Sequence, residues 1–560
     1  MIREAMLAGN IKLQVFSDPY ELIEEPIELE KEKVGSVPCK AGLNIIGKMP
    51  KKYEIRGATK TKITPSVFFD KVTEHTTEPT TLRKDTAAGD PMEKGLVKFG
   101  KSTPWIEPKL IKMATADVKN NYEINVCGVS SALYRRKLTY LEGVQGVEGD
   151  EFMAPINRKT SLGFPYVIEY NHPKGKREAF GEEEWKMDTP QAKKIEEDVL
   201  ELEQRCREGR QSGVYWTDTL KDERRPIAKV RAGKTRVFCA GPVHFTILFR
   251  MYFLGFAAWI MRNRNHNEVS TGTNVYSYDW NNIVRKLRSR GKASNGNINV
   301  VAGDFENFDG SLSSQILWAI FESIQEWYDD GAENAQIRRT LWAHIVHAMH
   351  VNEGIVYSAT HSQPSGCPIT AILNSIYNSI VIRIVFLMAA MDEEQRQGIR
   401  TGELANMTMF NRCVACISYG DDNLIAIMES ILEWFNQVII TEKFAKIGHV
   451  YTDEAKTGEI YTVRDLSEVA YLKRKFVWSE GAQRYIAPLN LDVVLEIVQW
   501  TKQGLQKDEI TLANLDITMR ELSLHGEKIY KKYKREFEHV CQMHRIPFRF
   551  QDWYSVMRRS

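Results

Sequence analysis

The chain has 560 residues, 43% hydrophobic and 26% charged, which is long for one compact core and ordinary for a folded protein of two or three substructures. Its 75 basic and 73 acidic residues leave a net charge of +2, so overall charge does not announce a nucleic-acid binder and the distribution has to be read instead. The longest wholly apolar run, Met251 to Met261, is far short of the roughly 20 residues a spanning helix needs, and it reads as a buried core helix.

Taken in chain order, the first 55 or so residues mix acidic, Pro and Gly positions with little periodicity, as an extended or peripheral segment would. Met1 to Asn10 lacks the pattern of a secretory signal, no membrane anchor is legible, and the eight scattered cysteines suit a reducing compartment; a cytosolic protein is expected. Glu21 to Glu32 is markedly acidic. A helix is predicted from Thr189-Pro190 to about Gly209, where Ile195, Val199, Leu200 and Leu202 recur near helical spacing. Lys221 to Arg236 holds seven basic and two acidic residues, a local stripe suited to a channel that handles phosphates. Arg288 to Asn297 reads as a loop, followed by the strand Ile298 to Ala302, which ends in Gly303 and delivers Asp304 at its tip.

Downstream, Val414 to Tyr419 and Leu424 to Ile427 read as two strands of a hairpin whose tight turn contains Gly420-Asp421, so the tip presents Asp421 and Asp422 side by side. Cys413 with Cys416, and Cys541 with His544, are lone half-sites with no second pair to complete a zinc centre. After about Val477 the character changes, and Leu491 to Trp500 and Arg535 to Val540 look like amphipathic helices of a smaller C-terminal unit.

Nucleotidyl transfer needs carboxylates arranged in this way. One divalent ion lowers the pKa of an attacking 3′-hydroxyl, and a second, about 4 Å away and bridged by shared carboxylates, neutralises the leaving pyrophosphate. Magnesium prefers oxygen ligands, and manganese can substitute. Asp304, Asp421 and Asp422 are the predicted metal ligands.

Several strings resemble the RNA-dependent RNA polymerases of picorna-like positive-strand RNA viruses. DFENFD (304–309), QPSGCPITAILN (363–374) and YGDD (419–422) match that family's motifs A, B and C in order, and TSLGFPY (160–166), KDERRPIAKVRAGKTR (221–236), YTDEAKTG (451–458) and YLKRKF (471–476) look like motifs G, F, D and E. The resemblance runs from about Lys60 to Lys502, and GTNVYSYDW (272–280) points to an insect-virus branch, iflavirus or dicistrovirus.

The resemblance implies an α/β (α+β) closed right hand, with a ferredoxin-like βαββαβ palm and fingers reaching round to a helical thumb. Its expected divisions are an extension at 1–55, fingers at 56–252 and 312–362, palm at 253–311 and 363–479, thumb at 480–560, and a catalytic core at about 296–433. It implies that Asp309, Asn374 and Ser365 read the ribose 2′-hydroxyl, with Gly366 and Thr370 beside them. Lys221, Arg225, Lys229 and Arg236 would face the triphosphate, in a stretch that Pro226 and Ile227 make less basic than in some relatives. Lys456 would protonate the leaving pyrophosphate. Thr160, Ser161, Gly163, Pro165 and Tyr166 would guide template, and Lys473 and Arg474 would hold the primer strand.

Expected partners are single-stranded RNA template, the RNA primer duplex, rNTPs, a genome-linked protein primer whose tyrosine takes the first uridylate, and other viral replication proteins. These would recruit the chain to membrane-associated replication complexes in the host cytoplasm. Relatives start with a glycine freed by proteolysis, whereas this chain starts with Met1 and some 50 residues before the resemblance, which implies an altered terminus or another mode of activation. A reverse transcriptase would carry a bulky residue at Asp309, a relict scaffold would have lost a metal ligand, and a nuclease would have no use for a ribose selector.

Overall fold

A computed structural model describes residues 33–39, 42–85, 87–125, 128–170, 175–459, 461–504 and 507–558; the readings on residues 1–32, the acidic run at 21–32 among them, lie outside the described residues. At its centre is an antiparallel sheet in the order Val414–Tyr419, Asp422–Ile427, Asn299–Glu306, Val450–Asp453. Along the chain, helix Thr370–Gln397 falls between the first strand and the hairpin, and helix Gln437–Lys446 between the hairpin and the last strand. This is the βαββαβ order with ferredoxin-like strand neighbours.

Strand alternation explains why the sheet is sandwiched. Val301, Phe305, Ile425 and Ile427 point to the large core that includes helix Thr370–Gln397. Val300, Ala302, Leu424 and Ala426 point the other way, onto Trp280, Ile283, Val284 and Leu287 of helix Tyr278–Gly291. That helix takes in the first part of the stretch read as a loop. The strand read as ending at Ala302 runs on to Glu306, so Asp304 sits within a strand, opposite Thr452, rather than at its end. Gly303 permits this, because a Cβ there would lie 1.9 Å from the Tyr451 ring.

A second five-stranded sheet has the order Asn44–Lys48, Ile355–Ser358, Met349–Asn352, Trp216–Leu220, Val237–Ala240. Its outermost strand comes from the segment read as peripheral: residues 44–48 pair with Ile355–Ser358, about 300 positions away in the chain. Met251 to Met261 lies in helix Val243–Arg262, which is buried, as is helix Thr370–Gln397; both are apolar and long enough to cross a membrane, yet each is enclosed in the core. Helix Pro190–Arg207 matches its prediction.

The C-terminal unit packs helices Lys507–Ser523 and Glu527–His544 around Leu515, Leu522, Tyr530 and Phe537. The predicted helix at 491–500 stops at Glu496, and Trp500–Lys502 instead pairs as a strand with Ile63–Pro65. Phe68 enters the same core. The buried Glu496 carboxylate accepts hydrogen bonds from the backbone N–H groups of Thr76 (2.9 Å) and Thr77 (3.2 Å), and strand Thr77–Pro79 pairs with Arg224–Pro226. N-terminal chain therefore links the basic stretch to the C-terminal helices.

Candidate active site

The hairpin tip is built as its sequence dictates. Tyr419 pairs with Asp422, leaving Gly420-Asp421 as the turn, and Gly420 takes φ +63°, a conformation cheap for glycine. Helix Thr370–Gln397 holds this tip from beneath. Ser375 Oγ accepts from Gly420 N (2.8 Å), and Asn378 Nδ2 donates to the carbonyls of Gly420 (3.1 Å) and Asp421 (3.2 Å). The motif reading did not single out Ser375 and Asn378; their signal was a buried polar cluster with Asn374 and Ser379, spaced about a helical turn apart in a largely apolar helix.

Carboxylates from the strand and the tip converge closely enough for each to feel the charge of the others. Loss of water around the Asp421 carboxyl, and then the charges of Asp304 and Asp309, push it up to about 6. Burial, then Asp421 and Asp304, pushes Asp422 up to about 7. Burial is the larger cause of both shifts, and mutual repulsion among the carboxylates adds to it. Lys456 supplies part of the balance, its Nζ lying 2.7 Å from Asp304 Oδ2. Lys456 has φ +56°, in a turn capped by the Asp453 carboxylate, which accepts from Thr457 N (3.0 Å) and Gly458 N (3.1 Å). The cap aims the lysine inward.

Asp309 sits on the short helical turn after the central strand. Asn374 Nδ2 donates to its Oδ1 at 2.7 Å, and burial raises its pKa against the pull of Asn374, Arg236 and Lys221. Ser365 is turned toward the second sheet, its Oγ accepting from Cys239 N at 3.0 Å. Gly366 is required by close approach, since a Cβ would meet the Cys239 carbonyl oxygen at 2.2 Å. Thr370 opens the helix and bonds back to the Cys367 carbonyl (2.8 Å).

On the basic stretch, Arg236 forks onto Glu223, and Lys221 stands 3.5 Å from the same carboxylate. Arg225 donates to the Lys234 carbonyl. Burial lowers the pKa of Lys229, as do the neighbouring cations Arg225 and Lys456. Lys98, absent from the motif reading, belongs to the same group: burial lowers its pKa, and Lys234, Arg225 and Lys456 are the cations around it.

Three template and primer expectations are corrected. Tyr166 is 1% exposed, its hydroxyl donating to Asp198 Oδ2 (2.6 Å) beside His244, so its ring is core and cannot stack on a base. Gly163 is likewise a packing position, against the Gly241 carbonyl, whereas Thr160 and Ser161 are exposed and Pro165 is half-buried. Arg474 forks onto the buried Glu521 of the C-terminal unit at 2.9 and 2.7 Å, so it is committed within the protein; Lys473 beside it is exposed.

Among the described residues, one His/Cys/Asp set gathers its ligand atoms within 4.8 Å: Asp218, Cys239 and His350 in the second sheet. That set is satisfied internally, with Asp218 accepting from the Tyr357 hydroxyl (2.6 Å) and His350 Nδ1 (3.0 Å). Cys413 and Cys416 are both buried and belong to no such set among the described residues.

A carboxylate-bearing ferredoxin-like sheet, ringed by a basic stretch and a helical unit, is the hand of a template-directed nucleic-acid polymerase. Residues 69–542 match the family model described as viral RNA-dependent RNA polymerase, and the chain belongs to that family. It is 42% identical over 494 residues to the replicase polyprotein of Drosophila C virus, covering 85% of this chain and 27% of the polyprotein. It is 38% identical to that of cricket paralysis virus, covering 98% of this chain and 31% of the polyprotein. The chain therefore spans under a third of these relatives' length, and dicistrovirus is the insect-virus branch they represent. The solved structure of a Sicinivirus 3Dpol RNA-dependent RNA polymerase superposes with TM-score 0.72 at 19% identity, covering 92% of this chain and 98% of that one, and shares the right-hand fold.

Proposed function

We propose that this chain copies RNA by transferring NMP from rNTP to a primer 3′-hydroxyl with release of pyrophosphate, in replication of a viral genome. The observation that carries the reading is the convergence of Asp304, Asp421 and Asp422 on one cleft in which two of the three carboxyls are pushed up to about 6 and 7. All three donors are carboxylates, the hard oxygen ligands that suit Mg²⁺, with Mn²⁺ as substitute. When bound, the ions would activate the 3′-hydroxyl and neutralise the leaving group.

The chain's own residues supply the rest. Asp309 and Asn374, bonded to each other near Asp421, would recognise the 2′-hydroxyl. Lys221, Arg225, Lys229 and Arg236 would hold the triphosphate and stabilise charge moving to the leaving oxygens. Lys456, paired with Asp304 in the free protein, would turn to the pyrophosphate and give it a proton. Lys473 and Ser161, both exposed, would meet primer and template phosphates, whereas the exposed Thr160 spends its hydroxyl on the Asn157 carbonyl and Lys176. Priming by a genome-linked protein, and recruitment by other viral proteins to membrane-associated complexes in the host cytoplasm, complete the proposal.

Primer extension on poly(A) with oligo(U) tests it. Extension with UTP that stops with EDTA is expected; metal-independent synthesis, or none under any divalent ion, contradicts the reading.

A further inference from the structure

Gln363 immediately precedes the Pro-Ser-Gly turn of motif B, is 2% exposed, and donates from its side-chain amide to Asn374 Oδ1. Asn374 in turn donates from Nδ2 to Asp309 Oδ1 at 2.7 Å. The polarity of this relay is forced from one end. An ionised carboxylate only accepts, so Asp309 obliges Asn374 to present its NH₂ group, and the Asn374 oxygen is left facing away in need of a donor. Gln363 is that donor. Its own Oε1 is buried and has no hydrogen-bond partner among the described residues. An apolar side chain of similar length, such as methionine, would fill the space without leaving an acceptor unpaired. The glutamine is therefore better explained by its NH₂ than by its bulk.

We propose that Gln363 is a positioning residue for sugar selection: it locks the Asn374 amide in the orientation that Asp309 selects, and so sets which lone pairs Asp309 can offer a 2′-hydroxyl. The inference rests on reading Asp309 and Asn374 as the ribose-recognising pair. Without the Gln363 donor the Asn374 oxygen is left buried and unpaired, so the amide keeps only its bond to Asp309 and can swing out of the geometry that aims the remaining Asp309 lone pairs at a 2′-hydroxyl. Ser362 Oγ donates to the Asp309 backbone carbonyl and holds the main chain there, so the loss falls on side-chain orientation.

The test is the ratio of kcat/KM for CTP to that for dCTP, measured in single-nucleotide incorporation; a ratio is unaffected by the fraction of enzyme that is correctly folded. Gln363→Met is expected to lower it roughly tenfold, the scale on which a misaligned polar site loses preference for a hydroxyl. Gln363→Glu should lower it at least as far. Adding Asp309→Asn to Gln363→Glu should then cost less than Asp309→Asn costs alone, because a carboxamide at 309 can meet either face of Asn374. Ratios for both Gln363 variants within twofold of wild type, alongside a clear loss in Asp309→Ala and Asn374→Ala, would overturn the inference and leave the ribose pair standing. An unchanged ratio in Asp309→Ala would overturn both.

Discussion

Arg474 and Lys473 are neighbours in a motif whose basic character suggests a grip on the primer, yet the fold assigns them different work. The Arg474 side chain is 12% exposed and that of Glu521 is 2% exposed. The fork between them is joined by a 2.7 Å bond from Arg474 Nη1 to the Ala487 carbonyl and by the Tyr276 hydroxyl on Glu521, with the Arg520 guanidinium 3.8 Å over the Tyr276 ring. Removing one partner of such a buried pair leaves a charge without compensation, at a cost of about 3–5 kcal/mol. Arg474→Met should therefore lower the denaturation midpoint clearly, and adding Glu521→Leu should recover most of the loss. Lys473→Met should cost under about 0.5 kcal/mol. RNA affinity should divide the other way. A guanidinium tied to Glu521 releases no counterions from phosphate, so the slope of log affinity against log salt should be unchanged in Arg474→Met and smaller by about one in Lys473→Met. Anisotropy of a labelled primer–template across salt concentrations, with chemical denaturation of the same proteins, measures both. A lower slope in Arg474→Met with unchanged stability would refute the assignment.

Asp309→Ala should reduce discrimination against deoxynucleotides more than it reduces the rate on an easy primer, because a site built around a hydroxyl rejects its absence through unpaired groups; single-nucleotide incorporation with matched rNTP and dNTP checks this. Lys456→Leu should slow pre-steady-state incorporation at least about tenfold with little change in apparent NTP affinity. Lys456→His should retain more activity with a lower pH optimum, since imidazole titrates below an amine; a burst in Lys456→Leu equal to wild type would place the general acid elsewhere. The raised Asp422 carboxyl gives a signed stability effect. A carboxyl whose folded pKa lies above its ordinary value leaves stability intact at pH below that ordinary value and erodes it as pH climbs through about 7. Asp422→Asn should accordingly raise the Tm of the metal-free protein at about pH 8, and much less at about pH 5, with EDTA present; equal gains at both would argue against strain among the carboxylates.

Local chemistry accounts for what the sequence made legible. The hairpin could be read because Gly420-Asp421 is a turn between two short apolar runs, and helix Pro190–Arg207 because its apolar spacing is regular. What stayed hidden depends on distant partners. Gly303 looks like a strand end until the Tyr451 ring is found lying where its side chain would be. Residues 44–48 show no strand pattern on their own and gain it from Ile355–Ser358. Tyr166 reads as a template guide because its partner Asp198 lies 32 positions on, and Arg474 as a primer grip because Glu521 lies 47 positions on, in another unit of the fold. Ser375 and Asn378 were visible as polar residues in an apolar helix, but only the folded hairpin shows what they hold.

The central claim is that Asp304, Asp421 and Asp422 act together on divalent ions to drive RNA synthesis. Asp304→Ala and Asp421→Asn, assayed for elongation on poly(A)–oligo(U) and in parallel for primer–template affinity, test it most directly. Elongation should fall below a few per cent of wild type, because each change removes a ligand that the chemistry requires, while affinity stays near wild type because it depends on the basic channel. Substantial elongation by either variant, with RNA bound normally, would contradict the account.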